Sequence, residues 1–322
     1  MPRDDIDITL PDLAGRRVVL TGGSDGMGLI MAARLAAAGA DLVLPVRNRV
    51  KGEAAAGRIR ADNPAARIAV HDLDLSSSAS VASFGSAMRA EGAPVHLLIN
   101  NAGVMTPPSR QTTADGHELQ FGTNHLGHVA VVGRLWPLLR EGRARIVSQV
   151  SIAARSGRID WADLDSERSY DGQRAYSRSK IALGLFARAL DERSRREGWG
   201  VRSVVSHPGV APTNLLAARP EIGRDTDTTG VRVVRWLSAR GLLLGTVETA
   251  ALPALVAATT AAPRSDVLYG PAGFGHLGGA PTTHALYPPL RDLAEAERVW
   301  DASLALAGVA DAWATPAPNA NG

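Results

Sequence analysis

Short apolar runs alternate with amphipathic segments from Arg17 to about Gly209. "RVVLTGG" (17–23), "ADLVLPVR" (40–47), "ARIAVHDLDL" (66–75), "VHLLINNAG" (95–103), "ARIVSQVS" (144–151) and "VRSVVSHPG" (201–209) are rich in β-branched residues, lack polar alternation and end in turn residues. That pattern predicts strands buried on both faces. Between them, "GLIMAARLAAAG" and "SASVASFGSAMRAEG" have helical periodicity. Strand–helix alternation predicts an α/β fold, a doubly wound parallel sheet of about seven strands with helices on both faces. Sheets of this kind bind ligands at the carboxyl ends of their strands, where the polar oddities of this sequence cluster.

Beyond Gly209 the periodicity loosens. Residues 210–245 mix apolar and flexible pieces, and 268–289 are rich in glycine and proline. A helix is predicted from about Pro289 to Ala307, followed by a flexible tail over 311–322. With no internal repeat or linker, residues 1–310 read as one domain, and 210–245 and 268–289 as segments covering the substrate. "WLSARGLLLG" (236–245) also fits an ordinary packed helix end.

Composition narrows the function classes. No run of about 18 apolar residues is present, so no membrane span is predicted. The N-terminus is acidic where a secretory signal needs a basic start, which makes the expected location cytoplasmic. The absence of cysteine excludes disulfides and thiolate metal sites, and no histidine pair has ligand spacing, so no metal is expected. A pI near 9.7 accompanies a net charge of only +3. The basic residues are interspersed with acids rather than gathered in a run, which argues against nucleic acid as a partner. Of 35 basic residues only Lys51 and Lys180 are lysines.

Candidate chemistry begins at "TGGSDGMG" (21–28), between the first strand and first helix. Gly22, Gly26 and Gly28 allow a tight turn and close approach of a pyrophosphate to the helix N-terminus, with Ser24, Asp25 and Met27 in the same loop. The second strand ends in "LPVRN" (44–48) with no carboxylate to bind a ribose diol. Arg47, followed by Asn48, could pair with a 2′-phosphate, which favours NADP(H) over NAD(H); Arg47 could equally be one more surface arginine. Asp74, beside Leu75, could accept from an adenine amino group or serve as a capping acid ahead of Ser76 and Ser77.

With "NNAG" (100–103), "TNHLGH" (123–128), Ser151, "YSRSK" (176–180) and "HPGVAPTNL" (207–215), the sequence resembles the short-chain dehydrogenase/reductase family in its single-domain form, over about residues 15 to 310. "RNRVKGEAA" (47–55) and the long stretch before Tyr176 are similar to its retinol-dehydrogenase-like branch, which also resembles protochlorophyllide reductases. The light-driven members of that group rely on a cysteine that this chain lacks. Asp25 stands where many NADPH-using relatives have arginine. "VSQV" (147–150) departs from the usual "VNVS", and the 25-residue spacing to Tyr176 selects Ser151 rather than Ser148.

The resemblance implies an NADPH-dependent reduction of a ketone or aldehyde on a lipophilic molecule, or the reverse oxidation. Tyr176 would be the proton donor and Ser151 the hydrogen-bond partner of the substrate oxygen. Lys180, four residues after Tyr176 and thus on the same helical face, would lower the phenol's pKa and grip the nicotinamide ribose. Asn124 would hold a relay water. Asn101, Ala102 and Gly103 would contact the cofactor, and Pro208, Gly209, Val210 and Thr213 would lie near its carboxamide. His125 and His128 read as structural, and Arg174 and Arg178 as surface charge. The resemblance leaves the oligomeric state open: such proteins often form homodimers or homotetramers through the helices carrying Asn124 and Tyr176, a surface that the stretch 156–172 could block or reshape. A cofactor-binding regulator without turnover and a dehydratase or epimerase are the alternative readings; the intact Ser151–Tyr176–Lys180 set argues against the former.

Overall fold

The computed structural model describes residues 6–212, 222–223 and 244–313. Each predicted apolar run forms a strand: β1 (Arg17–Leu20), β2 (Asp41–Val46), β3 (Arg67–Asp72), β4 (Leu97–Asn100), β5 (Arg145–Gln149) and β6 (Arg202–Ser206). Two further strands, β7 (Val267–Pro271) and β8 (Pro281–Ala285), complete an eight-stranded sheet of order β3-β2-β1-β4-β5-β6-β7-β8. All neighbours pair in parallel except β7 and β8, which are antiparallel. Both added strands come from the Gly/Pro-rich stretch read as substrate cover. β8 is an edge strand whose exposed residues alternate and whose first residue is proline, the position where a missing N–H costs least.

β1, β2, β4, β5, β6 and β7 are buried on both faces, which accounts for their lack of polar alternation, whereas β3, expected to be buried likewise, lies at the sheet edge and is half-buried. Val18, Leu20, Leu42 and Leu44 face a layer formed by α1 (Gly26–Ala37) and α6 (Val247–Thr259), and Ile59 of α2 (Arg49–Asp62) joins that layer. Val19, Val43 and Leu98 face the opposite layer. There α3 (Ser78–Glu91), α4 (Gly127–Glu141), α5 (Gly172–Glu197) and α7 (Leu293–Leu306) supply Phe84, Leu135, Phe186 and Trp300. α5 starts where the Asp171 carboxylate accepts from the Arg174 N–H, and ends at Gly198 in a left-handed conformation.

Residues 311–313, read as the start of a flexible tail, are placed by packing, and 314–322 lie outside the described residues. Residues 310–313 form a 3-10 turn, and Trp313 packs against Trp136, Trp199 and Trp300 with ring centroids 4.3 to 5.9 Å apart. Those partners lie on α4, α5's exit and α7, too distant in sequence for periodicity to reveal. Trp300 is 2 % exposed and stacks on Phe186 at 5.0 Å and 8°. Trp300→Ala should therefore cost about 3–5 kcal/mol, from lost transfer energy and a residual cavity. Chemical denaturation should show this as a lower midpoint.

Among the described residues, no helix is long and apolar enough to cross a membrane.

Candidate active site

The carboxyl ends of β1, β2, β3, β4, β5 and β6 open onto one cleft of about 740 Å³. At its β1 end, Gly22 has φ +69, and a Cβ there would lie 2.9 Å from Ala102 Cα. A Cβ on Gly28 would lie 2.0 Å from the Gly22 carbonyl oxygen. Only glycine permits this fold-back of the loop onto helix α1. Asp25 is the N-cap of α1, its carboxylate accepting from the Gly26 N–H at 2.7 Å.

Asn101 locks the loop in place. Its amide donates to the Thr21 carbonyl at 2.9 Å, while the Asn101 and Ala102 N–H groups donate to Thr21 Oγ1. Gly22, Ser24, Asp25, Gly26, Met27 and Gly28 all line the cleft, as do Asn101, Ala102 and Gly103.

Val46, Arg47, Asn48 and Lys51 line the cleft at the end of β2. Asn48 is the N-cap of α2, accepting from the Lys51 N–H at 3.0 Å, and Val46 is buried. Both lysines of the chain therefore border one cleft. The rarity of lysine pointed to Lys180, but the same signal marked Lys51, which sequence reasoning missed. Asp74 and Leu75 also border the cleft. One oxygen of Asp74 accepts from the N–H and hydroxyl of Ser76 in a local turn, and Ser77, not Asp74, is the N-cap of α3.

The opposite end gathers Ser151, Tyr176 and Lys180. Ser151 leaves β5 and caps a 3-10 turn, Ile152–Arg155. Ser148, by contrast, lies buried within the strand beside Asn100. Tyr176 and Lys180 are each 3 % exposed. Burial pushes the Tyr176 phenol up to about 12, opposed by its hydrogen bond with Ser151. Burial also pushes the Lys180 ammonium down to about 8. The expected depression of the phenol by Lys180 is thus not found. Lys180 Nζ lies 6.0 Å from the Tyr176 ring centroid and donates to the Gln149 carbonyl at 2.9 Å, so desolvation governs both groups.

Asn124 sits in a π-helical turn, Gly122–Leu126, ahead of α4; such turns recur at functional sites. Its side-chain amide donates to the Val104 carbonyl at 2.9 Å and Ser179 Oγ at 3.0 Å, and its oxygen accepts from the Val104 N–H at 2.8 Å. The side chain is therefore engaged by protein and ties the loop after β4 to the tyrosine helix.

His128 connects this turn to the glycine loop. Its Nδ1 lies 2.9 Å from the Asn124 carbonyl, which can only accept, so Nδ1 carries the proton. Nε2, 3.0 Å from Thr21 Oγ1, then accepts from that hydroxyl. Burial holds the ring near 4 and so neutral, which fits this arrangement. His128, read as structural, is the post that fixes Thr21 and Asn124 relative to each other. No feature of the sequence separates it from His125, which is buried against Ser303.

Arg178 is not surface charge. It is 7 % exposed and donates to the Asp163 carbonyl and Ser166 Oγ, clamping residues 163–166 of the loop ahead of α5. Arg174 is exposed, as expected. Pro208, Gly209 and Val210 line the cleft opposite Tyr176, and Thr213 lies outside the described residues, as does most of 210–245. Among the described residues no group of histidines and carboxylates could hold a metal.

A dinucleotide fits this cleft on geometric grounds. Its glycine cradle faces the N-terminus of α1, and the two lysines mark the β2 end and the tyrosine end. The sequence profile of the short chain dehydrogenase family matches residues 16–222. Human retinol dehydrogenase 12 is 41 % identical over 205 residues, 63 % of this chain and 64 % of that protein. The matched region thus spans less than two thirds of that relative's length. A crystal structure of an uncharacterised protein from Mycobacterium paratuberculosis superposes with a TM-score of 0.73 at 32 % identity, covering 93 % of this chain and 96 % of that one. The Pseudomonas aeruginosa RhlG/NADP active-site complex superposes with a TM-score of 0.60 at 25 % identity, covering 79 % of this chain and 93 % of that one.

Proposed function

The chain belongs to the short chain dehydrogenase family, and on that premise we propose that it is an NADP(H)-dependent oxidoreductase that reduces a ketone or aldehyde on a lipophilic small molecule, or oxidises the corresponding alcohol. The observation that carries this reading is the meeting of Ser151, Tyr176 and Lys180 at one end of a cleft whose other end holds the glycine loop at the N-terminus of α1. The nicotinamide ring, when bound, supplies or takes up the hydride. The chain's own residues do the rest.

Ser151 donates to the substrate oxygen and holds it beside the Tyr176 phenol. A phenol near 12 stays protonated at neutral pH, so it is loaded to give its proton as negative charge grows on that oxygen. Lys180 lies one helical turn from Tyr176, with its ammonium held by the Gln149 carbonyl. There it offsets the charge left on the phenolate and presents its remaining donors to the cleft. Val104, Met105, Ile152, Ala153, Val210 and Ala211 supply apolar walls near the reacting end. A lipophilic substrate agrees with those walls and with the retinol named for the human relative.

The preference for NADP(H) is supported by the missing acid after β2 and by two cations, Arg47 and Lys51, bordering the cleft there. The RhlG neighbour's complex with NADP accords with it. Lys51→Ala combined with Arg47→Ala should raise the KM for NADPH at least tenfold while moving the KM for NADH about twofold or less, since each lost charge-assisted contact to a phosphate is worth about 1.5–3 kcal/mol. Initial rates with both cofactors check this. Equal NADPH and NADH constants in the unsubstituted protein would remove the preference. The reading as a whole is tested by following NADPH oxidation across aldehydes, ketones and quinones, where apolar aldehydes and ketones should turn over.

A further inference from the structure

A second cavity of about 410 Å³ adjoins the cleft, lined by Arg155, His276, His284, Tyr287 and Arg291 and by residues of 285–288. Residues close in the chain line the two spaces. The 3-10 turn that follows Ser151 places Ile152 and Ala153 on the cleft and Arg155 on the second cavity. His207 bonds Tyr287 on one side, while the next residues, Pro208 to Val210, line the cleft on the other.

Among the described residues the lining holds two guanidinium groups, two imidazoles and a phenol, with no carboxylate. Asp292, the acid next to Arg291, is turned away to cap α7, accepting from the Ala294 and Glu295 N–H groups. Arg155 has no hydrogen bond or ion pair among the described residues. Arg291 donates through Nε to the Leu286 carbonyl at 2.7 Å, which fixes the plane of its fork and leaves the terminal nitrogens without an acidic partner among the described residues. Cations gathered at a concave surface with no counter-charge raise the local concentration of anions.

Hydrogen bonds fix the histidines. The Gly209 N–H donates to His207 Nδ1 at 3.1 Å, so His207 carries its proton on Nε2 and donates to the Tyr287 hydroxyl at 3.2 Å. That hydroxyl is then free to donate to His276 Nδ1 at 3.5 Å, which leaves the His276 proton on Nε2. His284 donates through Nε2 to the Pro271 carbonyl at 3.0 Å and stacks on His276 at 3.7 Å and 17°. Of the pocket's ring N–H groups only that on His276 Nε2 has no protein acceptor among the described residues, and it stands with two guanidinium forks, a donor set that suits carboxylate and phosphate oxygens.

We propose that this cavity is an anion subsite, taking a carboxylate or phosphate group carried either on the far end of the substrate or on a separate small anion. Arg155 is four residues along the 3-10 turn from Ser151, roughly 8 Å at about 2 Å per residue, so one amphiphilic molecule can place its carbonyl at Ser151 and its anionic end here. The substrate-borne form rests on the dehydrogenase reading; the binding site itself does not.

Inorganic phosphate titrated into the full chain, read by NMR of the histidine rings, should shift His276 and His284 saturably. Arg155→Gln with Arg291→Gln should weaken that binding at least tenfold. Both arginines are exposed, so an unchanged melting temperature identifies a folded variant. No saturable shift, or equal affinity in the variant, overturns the site. The source of the anion is read from an ω-oxo carboxylate and an uncharged aldehyde of equal length. A kcat/KM at least tenfold higher for the charged one, lost in the variant, places the anion on the substrate. Equal values that phosphate alters for both place it on a separate molecule. Equal values that phosphate leaves unchanged contradict the proposal. Should no carbonyl turn over, the dehydrogenase reading fails while the phosphate titration still decides the site.

Discussion

Tyr176→Phe is expected to lower kcat/KM for carbonyl reduction about a thousandfold, within the range for loss of a positioned general acid. The ring is 3 % exposed and sits on α5, so phenylalanine keeps its packing and removes only the hydroxyl. Ser151 remains to hold the substrate oxygen, so KM should change by about threefold or less and nearly all the loss should fall on kcat. Cofactor affinity, measured by fluorescence quenching, should be unchanged. Steady-state rates give the answer, and a variant retaining more than about a tenth of wild-type kcat would show that the proton comes from elsewhere.

Lys180→Arg is the second large effect, an expected loss of about a hundredfold or more although the charge is kept. Lys180 Nζ donates to the Gln149 carbonyl at 2.9 Å, and a Cβ on Gly103 would come within 3.7 Å of it. A planar guanidinium with five donors cannot occupy a site shaped for a compact ammonium without leaving N–H groups unpaired, at about 1–3 kcal/mol each. A purely electrostatic role would predict near-normal activity in this variant.

The pH profile supplies an independent reading. With Lys180 brought down to about 8, kcat/KM for reduction should fall above about pH 8 as the ammonium is lost, and Lys180→Arg should abolish that break. The same group affects stability. Its folded value lies below the 10.5 of an exposed lysine, so the buried charge costs stability below about pH 8. That cost is relieved as pH rises from there toward 10.5.

Six strands and the site's principal residues were legible in the sequence because buried parallel strands leave unbroken apolar runs and the cleft residues fall at their ends. β7 and β8 were not. "VLYGP" and "PTTHA" carry glycine, proline and polar residues, and their pairing as an edge hairpin depends on β6 being in place. Arg178 looked no different from Arg174, since its burial depends on the loop it clamps. The phenol's upward shift was hidden for a related reason. A spacing of four residues puts an ammonium near a tyrosine, yet the degree of burial that overrides its charge is a property of the closed fold. Lys51 was legible in principle, being the other of two lysines in an arginine-rich chain.

The central claim is that this cleft moves a hydride to a carbonyl carbon while Tyr176 protonates the oxygen. Its most direct test is the mass of the alcohol formed from an apolar aldehyde incubated with NADPH deuterated at the transferring position of the nicotinamide. The account predicts an alcohol carrying a single deuterium on the former carbonyl carbon, formed by the wild-type protein and at most about a thousandth as fast by Tyr176→Phe. Alcohol without deuterium, or equal labelling rates in the two proteins, would contradict it.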